Sequence, residues 1–96
     1  MTDTTFRALG ALLSSPAEEL SGAEIARIAK IASGTLYPIL FRLEDAKWVE
    51  SRWEEGDPLL LGRPRRRYYR VTALGAKNAL AAMNEVKAAF GRLAWR

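Results

Sequence analysis

Apolar positions change their period twice along this 96-residue chain, dividing it into helices, a pair of strands and a long final helix. Phe6, Leu9, Leu12 and Leu13 fall at helical spacing, which predicts a first helix from a Thr4 or Thr5 cap to about Ser14. Ser14-Ser15-Pro16 ends it, because proline disfavours helical backbone at the residue before it. Ser21 followed three residues later by Glu24 is the capping-box pattern, in which each side chain satisfies a backbone N–H at a helix start. A short second helix is therefore predicted to about Lys30, with Ile25, Ile28 and Ala29 as its buried face. In a third, from about Ser33 to Ala46, Leu36, Ile39, Leu40 and Leu43 form one apolar stripe. Pro38 lies early in it and is harmless if the helix starts at Gly34 or Thr35; an earlier start should bend the first turn.

From Lys47 the period falls to two. Trp48, Glu50, Arg52 and Glu54 alternate with Val49, Ser51, Trp53 and Glu55, as in a strand. Gly56-Asp57-Pro58 and Gly62-Arg63-Pro64 are turn signals, and Arg67–Val71 is a returning strand rich in aromatic and β-branched residues. Thr72 then caps a last helix that is predicted to reach Arg96. Along it Ala76, Ala79, Met83, Val86, Phe90 and Leu93 are spaced by three and four, an a/d seam that needs a cover. The order is helix, helix, helix, strand, basic loop, strand, helix.

Composition narrows the chemistry. The chain has neither cysteine nor histidine, so disulfides, thiol or imidazole catalysis and the usual zinc ligands are excluded; no metal and no cofactor is expected. A carboxylate pair flanked by apolar residues is not visible either, so an enzyme is the least supported reading. Apolar runs are only a few residues long, too short to cross a bilayer, and Met1-Thr2-Asp3-Thr4-Thr5 lacks the pattern of a secretory leader. A cytoplasmic protein without a membrane partner is the expectation. The net charge of +4 is concentrated: Arg63, Arg65, Arg66, Arg67 and Arg70 stand together without an acid, while the remainder holds ten bases against eleven acids. A basic stripe on a balanced domain is the footprint of phosphate binding. Charge alone fits equally a solvated loop facing an acidic protein or membrane surface.

Position decides between these. Two short helices joined through Ala29-Lys30-Ile31-Ala32 make a helix-turn-helix, whose second helix enters the major groove of duplex DNA. With the leucines turned inward, Ser33, Gly34, Thr35, Tyr37, Pro38 and Phe41 occupy the outer face near its N-terminal half, with Lys30 at the turn. The hydroxyls of Ser33 and Thr35 suit bases or phosphate, and the Tyr37 ring suits phosphate or a thymine methyl. Taken singly, Ser33 as a cap and Tyr37 as a packing residue explain those two as well. The Gly62–Arg67 loop adds Arg63, Arg65, Arg66 and Arg67, suited to follow a phosphate backbone or to enter a narrow minor groove.

These residues carry a family resemblance. Gly34-Thr35-Leu36-Tyr37-Pro38 with Leu40, Arg42, Leu43 and Glu44 resembles the G-T-L-Y-P-x-L-x-R-L-E run of PadR-like regulators. Gly62-Arg63-Pro64-Arg65, Tyr68-Tyr69-Arg70-Val71-Thr72 and Gly75 resemble their wing, and Ser21–Ile25 resembles their second-helix start. The resemblance implies an α+β, mostly α fold: a winged helix-turn-helix of three helices and a two-stranded wing, with a C-terminal dimerisation helix. Residues 1–72 would form the DNA-binding domain and 73–96 the dimerisation helix, in one structural unit. It further implies a homodimer on an inverted-repeat operator, usually as a repressor. The dimer interface is expected at Ala79, Met83, Val86, Phe90 and Leu93. Some relatives bind planar aromatic molecules near that interface, so Phe90 and Trp95 fit either interface anchors or an effector pocket, the effector being unidentified; anchors weigh more.

Three positions depart from the family pattern. Ser21 and Ala23 stand where His and Tyr are frequent, and Lys47 stands where Gly is common. If the backbone there has positive φ, lysine bears a steric cost that glycine does not. Leu59-Leu60-Leu61 places three apolar residues in a loop expected to be wet, either packed beneath the wing or set against a partner. Two other functions stay open: a small-molecule-binding module with secondary DNA contact, and a protein–protein adaptor built on the winged helix.

Overall fold

The computed structural model describes residues 2–94, of which side chains are described to Gly91. Helix α1 (Asp3–Leu13) is capped by Thr2, earlier in the chain than the sequence suggested, with its hydroxyl accepting the Thr5 N–H. Strand β1 (Leu20–Ser21) leads into α2 (Gly22–Ala29), and α3 spans Ser33–Asp45. Strand β2 (Val49–Trp53), a single helical turn α4 (Pro58–Leu61) and β3 (Arg67–Val71) follow, and α5 runs over Ala73–Ala94.

Helices α1, α2 and α3 pack around Leu9, Leu12, Ile25, Leu36 and Leu40, all fully buried, with Ile39 and Leu43 beside them. Ser21 caps α2, accepting the Glu24 N–H at 3.2 Å, but the reciprocal half of the expected box differs: the Glu24 carboxylate accepts from the Ser21 hydroxyl and not from its N–H. Ile28, expected on the buried face, is 47% exposed. So short a helix buries only the stripe of Gly22, Ile25 and Ala29, and Ile31, just past the turn, joins the core.

The sheet corrects the expectation of two strands. Its order is β1-β3-β2, all antiparallel: Leu20 and Ser21 pair with Tyr69 and Tyr68, and Val49–Trp53 pair with Val71–Arg67. A strand of two residues has no readable period, and Ser21 serves both the ladder and the cap of α2. With Val49, Tyr69 and Val71 buried, the sheet closes the helical core. Three helices with a helix-turn-helix and a hairpin lying beside it make a winged helix.

The αL positions that follow α2 and α3 are both lysines. Lys30 (φ 56°) ends α2, and Lys47 (φ 67°) follows α3. At the second, Trp48 N–H donates to the Leu43 carbonyl and Lys47 N–H to that of Glu44, the paired bonds of a Schellman motif, which usually places glycine there. Left-handed backbone costs a residue with a Cβ about 1–2 kcal/mol. Glycine escapes that cost but loses roughly 0.5–1 kcal/mol more chain entropy on folding. Lys47→Gly is therefore expected to stabilise the fold by up to about 1 kcal/mol, read as a rise of a few degrees in the thermal midpoint. A fall would show that the exposed lysine side chain contributes more than its backbone loses.

Helix α5 begins at Thr72, whose hydroxyl accepts the Gly75 N–H at 3.0 Å and donates to the Lys47 carbonyl at 2.7 Å. Its first half belongs to the domain: Ala79 has no exposed surface and Ala76 packs against the core. Ala79, expected at a dimer interface, is thus already covered by its own chain. Beyond it the helix runs out of support, and the molecule measures 61 Å along its longest axis against 25 and 21 Å across.

Candidate nucleic-acid interface

The N-terminal half of α3 lies open. Its N-cap is Ala32, which offers no side-chain bond, so Ser33 is the first helical residue and the capping role considered for it is absent. Ser33, Gly34, Thr35, Pro38 and Phe41 are exposed, Phe41 at 71%. Pro38 stands sixth in the helix and supplies no N–H to the carbonyl of Gly34, an exposed residue. Lys30 is exposed at the turn, where its backbone carbonyl accepts from Arg7 at 2.9 Å.

Tyr37 is both packed and presented. A Cβ on Gly22 would come within 2.8 Å of the Tyr37 ring, so the ring lies directly on the α2 backbone, yet the residue remains 46% exposed. Sequence reasoning overlooked Gly22, which leaves room for that ring. Tyr37, Trp53, Arg65, Arg66 and Arg67 border a groove of about 510 Å³ between α3 and the wing, with buried Tyr69 at its side. Burial pushes the Tyr69 hydroxyl above its usual range, which keeps it neutral.

The five arginines of the basic run are not equivalent. Arg63 makes a forked pair with Glu54 at 2.6 and 2.9 Å. Arg70 pairs with Glu50 at 2.6 Å. Arg67 lies 3.7 Å from Glu44, which also accepts from the Ser51 hydroxyl, and its guanidinium stacks 5.0 Å from the Trp53 ring. Arg65 and Arg66 are exposed and have no carboxylate partner among the described residues. Of the four arginines expected at the clamp, Arg63 is thus paired within the wing and Arg67 rests against α3 and β2, whereas Arg65 and Arg66 point to no carboxylate among the described residues. The acids that neutralise the others come from β2, its end and α3: the strand register brings Glu50 and Glu54 opposite, and the packing of α3 on the sheet brings Glu44.

The three consecutive leucines form α4, where a loop was expected. Asp57 caps this turn by accepting the Leu59 N–H at 2.9 Å, and Gly62 (φ 71°) ends it. Leu59 and Leu60 are 89% and 87% exposed, so neither packs beneath the wing; Leu61 rests beside Gly56. On α5, Met83 is half-buried, whereas Val86 and Phe90 are 42% and 68% exposed. The Leu93 side chain and Trp95 lie outside the described residues. None of the described helices is long and apolar enough to cross a membrane.

The model of the transcriptional regulator PadR-like family matches residues 14–81, from the end of α1 to the middle of α5. The chain belongs to the PadR-like family. It is accordingly a DNA-binding transcriptional regulator. Among solved structures it is similar to smu.1704 from Streptococcus mutans, at 28% identity and TM-score 0.70, over 90% of this chain and 80% of that one. It is also similar to a mutant S. aureus MepR bound to an oligodeoxyribonucleotide, at 20% identity and TM-score 0.74, over 100% of this chain and 65% of that one. MarR from E. coli is similar at 20% identity and TM-score 0.67, with 84% and 54% covered. The last two likenesses are of fold, and the PadR-like chain spans little more than half to two thirds of their length. Comparison with curated protein sequences gave no match.

Proposed function

We propose that this PadR-like protein is a sequence-specific repressor that binds an inverted-repeat duplex operator as a homodimer joined through α5. The observation that supports the reading is the groove between α3 and the wing, bordered by Tyr37 on one element and by Arg65 and Arg66 on the other, the two arginines of the run without a carboxylate partner among the described residues. Ser33, Thr35 and Tyr37 are suited to base edges in the major groove, and Arg65 and Arg66 to the adjoining backbone or minor groove. In this reading residues 1–72 supply the DNA-binding part and the helix of residues 73–96 the dimer contact. Two winged helices held on a promoter would repress by occluding it.

Dimerisation is supported by Val86 and Phe90, which share one face of α5 and stay exposed there. A two-fold axis along this helix would cover the same surface on both copies and set two recognition helices about one DNA turn apart. Val86→Asp/Phe90→Asp sets unpartnered carboxylates across that axis, where burial disfavours them strongly. The double variant is expected to sediment as a monomer with unchanged helical circular dichroism, because neither residue belongs to the winged-helix core. Losing one of two linked contacts should weaken binding to an inverted-repeat duplex by about 10²-fold or more. A variant that remains dimeric would move the interface off this stripe. Wild-type protein that prefers single strands to every duplex would end the operator reading itself.

A further inference from the structure

We propose that Glu54, an acid inside the arginine-rich wing, is a positioning residue for DNA binding: it holds the hairpin in the shape that presents Arg65 and Arg66. The proposal rests on the reading of the wing as a phosphate clamp, and it reverses the sign that charge alone predicts for removing this carboxylate.

Glu54 follows β2 directly, and its N–H donates to the Arg66 carbonyl at 2.8 Å, one rung beyond the last paired residues. Its carboxylate then accepts four donors. Arg63 Nη1 and Nη2 reach it at 2.6 and 2.9 Å, the Arg66 N–H at 3.3 Å and the Tyr68 hydroxyl at 3.2 Å. Arg63 Nη1 also donates to the Pro64 carbonyl at 3.3 Å. The returning leg from Arg63 to Tyr68 is thereby wrapped around one carboxylate, whose side chain is only 16% exposed. Forked arginine–carboxylate pairs fix the planes of both partners, so this is a geometric constraint as well as an electrostatic one. The Arg63 bond, helped by the Arg66 N–H and Tyr68, holds the Glu54 carboxyl at about 2, so it stays ionised throughout the physiological range.

Arg65 and Arg66 sit inside that wrapped leg with exposed side chains. Without Glu54 the leg loses its centre, and the two arginines must be ordered anew each time DNA binds. Charge alone works the other way. Removing one acid and freeing Arg63 makes the wing more positive, which across a screening length of about 8–10 Å strengthens phosphate binding roughly twofold.

The test measures duplex binding by fluorescence anisotropy across a salt titration. The proteins are the wild type, Glu54→Gln, Glu54→Ala, Arg65→Ala/Arg66→Ala, and the last combined with Glu54→Ala. Glu54→Gln and Glu54→Ala are expected to bind about tenfold more weakly than wild type. Adding Glu54→Ala to the double arginine variant is expected to change affinity less than twofold, because Glu54 acts through those two side chains. Trypsin cleavage after Arg65 or Arg66 in the free protein should quicken about tenfold in Glu54→Ala, with helical circular dichroism unchanged. Equal or tighter binding by both Glu54 variants, or losses that multiply with those of the arginines, would overturn the proposal. Wild type that binds no duplex is a different result, since it removes the clamp reading on which the proposal stands.

Discussion

Gly75→Ala is expected to lower the thermal midpoint by on the order of 15 °C, although alanine is ordinarily the better helix former. Gly75 is buried in the first turn of α5, over the backbone of Trp48. A Cβ there would overlap the Trp48 carbonyl oxygen and come within 2.7 Å of its carbon. That oxygen already accepts the Thr72 N–H at 2.9 Å, and Lys47 and Trp48 are pinned by the bonds that close α3. No flexible side-chain end can yield, so α5 itself must lift. Lifting it breaks the Thr72 cap and withdraws Ala76 and Ala79 from the core. Overpacking against fixed structure costs about 1–3 kcal/mol and the cap about 1 more, against which the propensity gain of under about 1 kcal/mol is small. A net loss of roughly 3 kcal/mol is a large part of the stability of a domain this size. A melt followed by circular dichroism checks it, and an unchanged midpoint would mean that α5 does not approach Trp48 so closely.

Arg65→Ala/Arg66→Ala is expected to weaken binding to every duplex alike, by roughly sixtyfold at 0.1 M salt, and to flatten the salt dependence by about 1.8 in slope. Both figures follow from two lost phosphate contacts, each releasing about 0.9 of a counterion. Arg63→Ala should behave differently, because its guanidinium is already paired with Glu54 and its loss acts on the shape of the wing. Thr35→Ala or Tyr37→Ala should instead narrow the preference for operator over random sequence, since base edges carry sequence and phosphates do not. A salt titration of the double arginine variant that overlays the wild type would place the clamp elsewhere on the molecule.

Much of the fold is legible in the amino-acid sequence. The Leu36/Ile39/Leu40/Leu43 stripe places α3 and turns Thr35, Tyr37 and Phe41 outward, because helical period alone fixes which residues share a face. The Ser21/Glu24 pattern places the start of α2, and Thr72 that of α5, since caps are made between residues three apart. Lys47 is marked as strained by a single glycine missing from the family pattern, and its φ is positive.

What tertiary structure decided are relations between residues distant in sequence. The Arg63–Arg70 run reads as one basic patch, yet the β2–β3 register sets Glu54 and Glu50 against Arg63 and Arg70, and Arg65 and Arg66 are left without such a partner among the described residues. The third strand, the close approach of Gly75 to Trp48 and the ring of Tyr37 on Gly22 have no periodic trace, because each depends on how whole elements dock. The a/d stripe of α5 looks continuous, but docking alone determined that Ala79 is core while Val86 and Phe90 stay bare. Sequence determined which faces are apolar, through local backbone geometry; the fold determined which of those faces, and which charges, remain free to meet DNA.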